Sequence, residues 1–161
     1  LYKVLMTLYE ILEKLEIPIK EVEHPKAYTV EDIKSFHLEI EGIGCKNLFL
    51  KDKKGSYILV ILQEDKKADF KKLKTVTGKT LSFANSEELK QILNLEKGSV
   101  TPMGLMYDKE GKVFVLLDED LKEKQVLFHP NVNNKTISLT MNDLIRFIEY
   151  TNHSYMWLAN D

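Results

Sequence analysis

Short apolar runs broken by turn residues constrain this chain more tightly than any other feature, because each run reads as one strand of a ribbon and each turn as its reversal. Residues 48–51 and 57–62 flank Asp52-Lys53-Lys54-Gly55, a hairpin signal, and residues 103–107 and 113–117 flank Asp108-Lys109-Glu110-Gly111 in the same way. Residues 126–128 and 136–139 flank an asparagine-rich turn after Pro130, and further extended pieces are expected at 19–23 and 81–83. Helical patterns lie between them. Thr7-Leu8-Tyr9-Glu10 and Thr29-Val30-Glu31-Asp32 read as capping boxes, in which a threonine oxygen accepts an early amide and the acid reaches back. Leu8, Ile11, Leu12 and Leu15 then share one face of a first helix that Pro18 ends, and Val30 and Ile33 give a second helix its inward side. A third helix is expected around 69–74, a fourth after Asn85-Ser86 with Leu89, Ile92 and Leu93 as its buried stripe, and a last one from the Thr140 cap to about 150. Strict strand-helix-strand repetition is missing. The pattern predicts a mixed α/β (α+β) domain with a mixed, largely antiparallel sheet flanked by helices.

A chain of 161 residues, 43% of them hydrophobic, is one domain's worth of core, so residues 1–161 read as a single domain. Residues 1–5 read as flexible or as added sequence and carry no functional expectation. The one cysteine, Cys45, has no internal partner, and no leader or long apolar span is recognisable, which points to a reducing cytoplasm and away from a membrane. A net charge of −2 excludes a protein that holds nucleic acid by a global basic field, so any RNA contact is local. The lysines are bunched: Lys51, Lys53 and Lys54 at a turn, then Lys66, Lys67, Lys71, Lys72, Lys74 and Lys79 around the third helix. They form either a solvated helix face or a patch that faces phosphates. Tyr155 and Trp157 suit the tail, residues 151–161, for docking on the body or on a partner.

Three separated patterns carry the candidate chemistry. Lys46-Asn47 opens a strand, where an ammonium group suits a phosphate or ester oxygen, although an exposed surface lysine has the same signature. Gly98-Ser99-Val100-Thr101-Pro102 couples a permissive residue to a stiff one, so the amides between them can be aimed at an oxyanion or a carbonyl; an ordinary loop also fits. His129, before Pro130, can position a substrate group, limit pocket size or move a proton, or can serve as a turn residue. Cys45 is expected to be structural, because no protease signature accompanies it. His24, His37, His129 and His153 lack metal-ligand spacing, so neither a metal, another cofactor nor a catalytic triad is expected.

The order and spacing of these patterns resemble the YbaK/ProX prolyl-tRNA-editing family, and within it the freestanding ProX type, which hydrolyses alanine wrongly attached to the proline tRNA. The resemblance runs from about residue 8 to about 148. It includes His24-Pro25 followed by Thr29-Val30-Glu31, Leu81-Ser82-Phe83-Ala84, and His129-Pro130 with Asn133 and Thr136. It implies a YbaK-like domain in which Lys46 binds the acylated tRNA end and Asn47 fixes substrate orientation. It also implies that the loop Gly98, Ser99, Val100, Thr101 and Pro102, with Met103 beside it, cradles the aminoacyl end, and that His129 bears on amino-acid selection. Val30 and Ile33, with Tyr28 and Thr29 at the same helix start, are the expected wall against a side chain larger than alanine. Water is the implied nucleophile, assisted by the free ribose hydroxyl of the substrate. The implied partner is the acceptor end of aminoacylated proline tRNA, delivered by prolyl-tRNA synthetase or an elongation factor. Two alternatives stay open: a deacylase for cysteine on the proline tRNA, and a non-catalytic tRNA-binding or synthetase-associated module.

Overall fold

The computed structural model describes residues 6–160, so the expectation for residues 1–5 falls outside it. The chain runs α1 (Leu8–Lys14), β1 (Lys20–Glu23), α2 (Val30–Ser35), β2 (Ile43–Lys51), β3 (Tyr57–Gln63), α3 (Phe70–Thr77), β4 (Ser82–Phe83) and α4 (Ser86–Leu93). A 3-10 turn (Pro102–Tyr107) then leads to β5 (Val113–Asp118), a second short 3-10 turn (Glu119–Leu121), β6 (Gln125–Phe128), β7 (Lys135–Thr140), α5 (Met141–Tyr150) and β8 (Tyr155–Leu158).

The expected caps are formed. Thr7 accepts from the Glu10 amide while Glu10 takes the Thr7 amide, and Thr29 and Asp32 make the same reciprocal pair, as do Asn85 and Glu88. Each satisfies two amides that the first helical turn leaves without partners.

The strands form one sheet in the order β1-β7-β6-β2-β3-β5-β8, with β4 pairing β2. Turn 52–55 closes the expected hairpin, and β2 and β3 pair antiparallel from Cys45 opposite Gln63 to Lys51 opposite Tyr57. β6 and β7 pair antiparallel around the asparagine-rich turn. The sheet is mixed, because β2–β6, β3–β5 and β5–β8 are parallel. The tail docks on the body through that last pairing.

The second hairpin was misjudged. Residues 103–107 form a 3-10 turn instead of a strand, started by Thr101, whose hydroxyl accepts the Met103 amide, and by Pro102 at the first turn. Asp108 is turned inward, where its carboxylate takes the Val113 amide and His153 Nε2, so turn 108–111 redirects the chain into β5 beside β3.

Side chains of β3 alternate between two cores. Leu59 and Ile61 join the larger one with α1, α4 and α5, whose Phe147 is fully buried; Ile58, Val60 and Leu62 join a smaller one with Leu73 of α3. Burial on both faces explains the unbroken apolar run at 57–62. Truncating Phe147 to alanine would cost about 3–5 kcal/mol.

Candidate active site

β2 has a full-length partner on one edge and an interrupted one on the other. Among the described residues β6 reaches it at Ile43 and Gly44, and β4 at Leu50 and Lys51. Between them the edge near Lys46 and Asn47 is left open, and a cavity of about 620 Å³ forms there. Successive side chains of a strand point to opposite faces, yet Lys46 and Asn47 both line this cavity beside the open edge. Gly98, Val100 and His129 line it too, so three segments distant in sequence converge.

Direct bonds hold that convergence. The Asn47 Nδ2 donates to the Val100 carbonyl at 3.2 Å, and the Thr101 hydroxyl donates to the His129 carbonyl at 2.7 Å. Gly98 takes φ +90°, and a Cβ there would come within 3.2 Å of Tyr28 Cα, so the loop needs glycine for both conformation and approach. The Ser99 amide is taken by the Glu96 carbonyl, whereas the Gly98 and Val100 amides find no acceptor among the described residues. Ser99, Thr101, Pro102 and Met103 are buried behind the loop and do not line the cavity. They brace the loop.

The polar groups facing the cavity are unequally engaged. Lys46 Nζ donates to the Lys66 carbonyl at 2.7 Å, which fixes the ammonium and leaves two of its three hydrogens to offer. Asn47 Oδ1 is buried with no partner among the described residues. His129 Nδ1 lies 2.8 Å from the Lys135 carbonyl, so the neutral ring carries its proton there and presents Nε2 as an acceptor. Burial lowers the His129 pKa below the ordinary 6.5, His24 adds to the effect, and the Lys135 carbonyl opposes both. The two His-Pro sequences meet here, with the His24 and His129 rings 5.9 Å apart and His24 Nε2 2.8 Å from the hydroxyl of Thr136, a cavity-lining residue.

α2 closes one side. It buries none of its residues in either core; Val30 and Ile33 instead line the cavity with Tyr28 and Thr29. The segment before it is tied to the turn after β6, the Ala27 amide donating to the Asn133 carbonyl at 2.8 Å, and a Lys34–Asp65 ion pair at 2.9 Å latches the helix to the loop after β3.

Several lining residues were not among the expected site residues, Glu64 and Phe83 among them. Glu64 follows β3, and its carboxylate lies over Gly44, where an added Cβ would sit 2.0 Å from Oε2. A glycine inside a strand marks such an approach, and Gly44 at the start of β2 was the available signal. Phe83 lines the mouth and is 59% exposed; its segment, Leu81-Ser82-Phe83-Ala84, was expected only as a short strand and as part of the family resemblance. The Cys45 thiol donates to the Ile43 carbonyl, and burial pushes its pKa up, which disfavours the nucleophilic thiolate. Among the described residues there is no group of three metal-ligating side chains, and no helix is long and apolar enough to cross a membrane.

The arrangement places a fixed ammonium, two amides without acceptors, the vacant His129 Nε2 and a carboxylate around a space the size of a small ligand, which suits an aminoacyl ester. Comparison with known proteins agrees. The profile of the aminoacyl-tRNA editing domain matches residues 24–147. A prolyl-tRNA editing protein, ProX, of Acetoanaerobium sticklandii is 35% identical over 147 residues, covering 89% of this chain and 90% of its own. A prolyl-tRNA synthetase associated domain-containing protein of Danio rerio is 35% identical over 158 residues, covering 96% and 86%. In fold, the chain matches the crystal structure of a candidate trans-editing enzyme for prolyl-tRNA synthetase with a TM-score of 0.65 at 23% identity, covering 89% and 87%. The chain belongs to the aminoacyl-tRNA editing domain family, and is an ester hydrolase of that class.

Proposed function

We propose that the protein edits in trans, hydrolysing the ester that links alanine to the proline tRNA. The convergence of Lys46, Asn47, the Gly98 and Val100 amides and His129 on one cavity carries this reading. The names of the Acetoanaerobium sticklandii and Danio rerio relatives support the proline tRNA as substrate and a synthetase as the delivering partner.

Water attacks the ester carbonyl carbon, the carbonyl oxygen becomes an oxyanion, and the carbon–oxygen bond to the ribose breaks. The ribose oxygen leaves with one proton of the water, the other passes to solvent, and alanine is released as its carboxylate. Free amides at Gly98 and Val100 suit the oxyanion, where such donors contribute most because they are already in place. The α-ammonium of the aminoacyl group suits the Glu64 carboxylate, which lines the cavity. Lys46 directs its two remaining hydrogens to a terminal phosphate or ester oxygen, and His129 Nε2 accepts from the attacking water or the ribose hydroxyl. No covalent nucleophile is needed, because orientation and carbonyl polarisation suffice for an activated ester.

Val30, Ile33 and His129 exclude the proline ring by size. Favouring a larger group in a pocket yields only about 1–3 kcal/mol per methylene, whereas a stiff wall rejects more strongly.

Charging proline tRNA with alanine, cysteine or proline and following ester loss tests the reading. Alanine is expected to be released fastest and proline to be spared. A preference for cysteine would reassign the substrate, and an ester half-life equal to that in buffer would mean a binding module without turnover.

A further inference from the structure

Two aromatic rings from different elements meet on the surface beside the cavity. Phe83 of β4 lines the mouth at 59% exposure, and Phe70, the first residue of α3, is 37% exposed and packs edge-on against it at 5.8 Å between ring centres. A lone exposed ring is ordinary; an adjoining pair continuous with a binding cavity marks an interaction surface. The bunched lysines divide around it. Lys51, Lys66 and Lys79 are held by Glu88, Asp118 and Asp52, and Lys72 reaches the Ala159 carbonyl. Lys71 and Lys74 are exposed, and their ammonium groups have no hydrogen-bond or ion-pair partner among the described residues. Helical spacing puts Lys74 one turn beyond Phe70 and Lys71 opposite the buried Leu73. The nearest acid on that helix, Asp69, caps it by accepting the Lys72 amide.

We propose that Phe83, Phe70 and the Lys71/Lys74 face of α3 form the path of the single-stranded 3′ end of the charged tRNA as it leaves the cavity. The identity of the occupant rests on the hydrolase reading. Unpaired bases offer flat faces to aromatic rings, and the phosphates between them attract the lysines. With a net charge of −2 the protein has no global field to hold RNA. Two ammonium groups without a carboxylate partner among the described residues, on the helix that carries Phe70, provide the local attraction.

Anisotropy of a short fluorescent RNA ending in CCA, titrated with the full chain, measures this path without ester chemistry. Phe83→Ala is expected to weaken binding about tenfold, and Phe83→Trp, which keeps a stacking face, to retain it. Lys71→Ala combined with Lys74→Ala is expected to flatten the plot of log affinity against log salt by about 1.4, at about 0.7 per phosphate contact on a single strand. Lys14→Ala, whose lysine lies over Tyr150 outside the strip, is expected to change neither. Wild-type affinity and salt slope in the strip variants would overturn the path and would be the result if the surface served a protein partner; a wild type that does not bind the RNA would overturn it as well. Ester loss is scored separately. RNA binding that depends on the strip, with the alanyl ester left intact, contradicts the hydrolase reading while keeping the path.

Discussion

Asn47 donates its amide hydrogen to the Val100 carbonyl and keeps its own side-chain oxygen buried without a partner. One side chain thus tethers the loop that carries the free amides and leaves its own acceptor unsatisfied. A buried acceptor without a donor costs about 1–3 kcal/mol, close to what the tether returns, so Asn47→Ala is expected to leave thermal stability nearly unchanged. Its kcat/KM on the alanyl ester is expected to fall tenfold or more, since about 1.4 kcal/mol of lost transition-state interaction is a factor of ten. Melting and kinetics on the same sample separate the two effects.

His129 supplies a pH dependence with a definite sign. Its folded-state pKa is depressed below 6.5, mainly by burial, so the unfolded ring takes up a proton at higher pH than the folded one. The stabilising contribution is therefore complete above 6.5 and is lost as pH falls through the depressed folded value. Activity that uses neutral Nε2 is expected to persist below 6.5 and to fall only as the pH passes the depressed folded-state pKa. Profiles of kcat/KM and of melting temperature between pH 8 and 5 check this, with His129→Asn removing the ring's contribution to both. A break in the wild-type rate above 6.5 assigns the dependence to another group.

Gly44 and Glu64 form a pair that mutation can separate. The clash created by Gly44→Ala falls on the far end of a flexible carboxylate, so the fold tolerates it while Glu64 is displaced from the cavity floor. Gly44→Ala and Glu64→Gln are expected to raise KM for charged tRNA by similar factors, on the order of tenfold for one charge-assisted hydrogen bond to the substrate ammonium. An unchanged KM in both would remove Glu64 from the substrate site.

Val30 and Ile33 line the cavity from α2, a helix that buries none of its residues in the core. Ile33→Ala, which removes three carbons from the wall, is expected to reduce discrimination against proline by at least roughly 10- to 200-fold, the range for a single methylene in an apolar pocket. The Lys34–Asp65 latch is exposed on both sides and contributes about 0–1 kcal/mol, so Lys34→Ala is expected to change selectivity more than melting temperature. Ester loss from alanyl and prolyl tRNA, run in parallel, reads both.

Legibility in the sequence followed local chemistry. The hairpin at 52–55 and the capping boxes at Thr7 and Thr29 were readable because the groups involved lie within a few residues of one another. Residues 103–107 misled because a buried 3-10 turn and a buried strand both ask for an apolar run; the overlooked signal was Thr101-Pro102, a cap followed by a residue suited to the first turn. In the site, Lys46, Asn47, Gly98, Val100 and His129 were identifiable and line one cavity, whereas Ser99, Thr101, Pro102 and Met103 of the same loop lie behind it. What escaped notice depended on tertiary register. Glu64 reaches the cavity because β2 and β3 pair so that Gly44 passes beneath it, and Lys46 is fixed by a carbonyl twenty residues away.

Single-turnover release of alanine from alanyl proline tRNA, by wild type and by Lys46→Ala, tests the central claim most directly. Wild type is expected to clear the ester far faster than buffer, and Lys46→Ala to slow it by roughly 10- to 150-fold, the worth of one charged hydrogen bond of about 1.5–3 kcal/mol, with melting temperature held. A Lys46→Ala protein as fast as wild type, or a wild type no faster than buffer, contradicts the account.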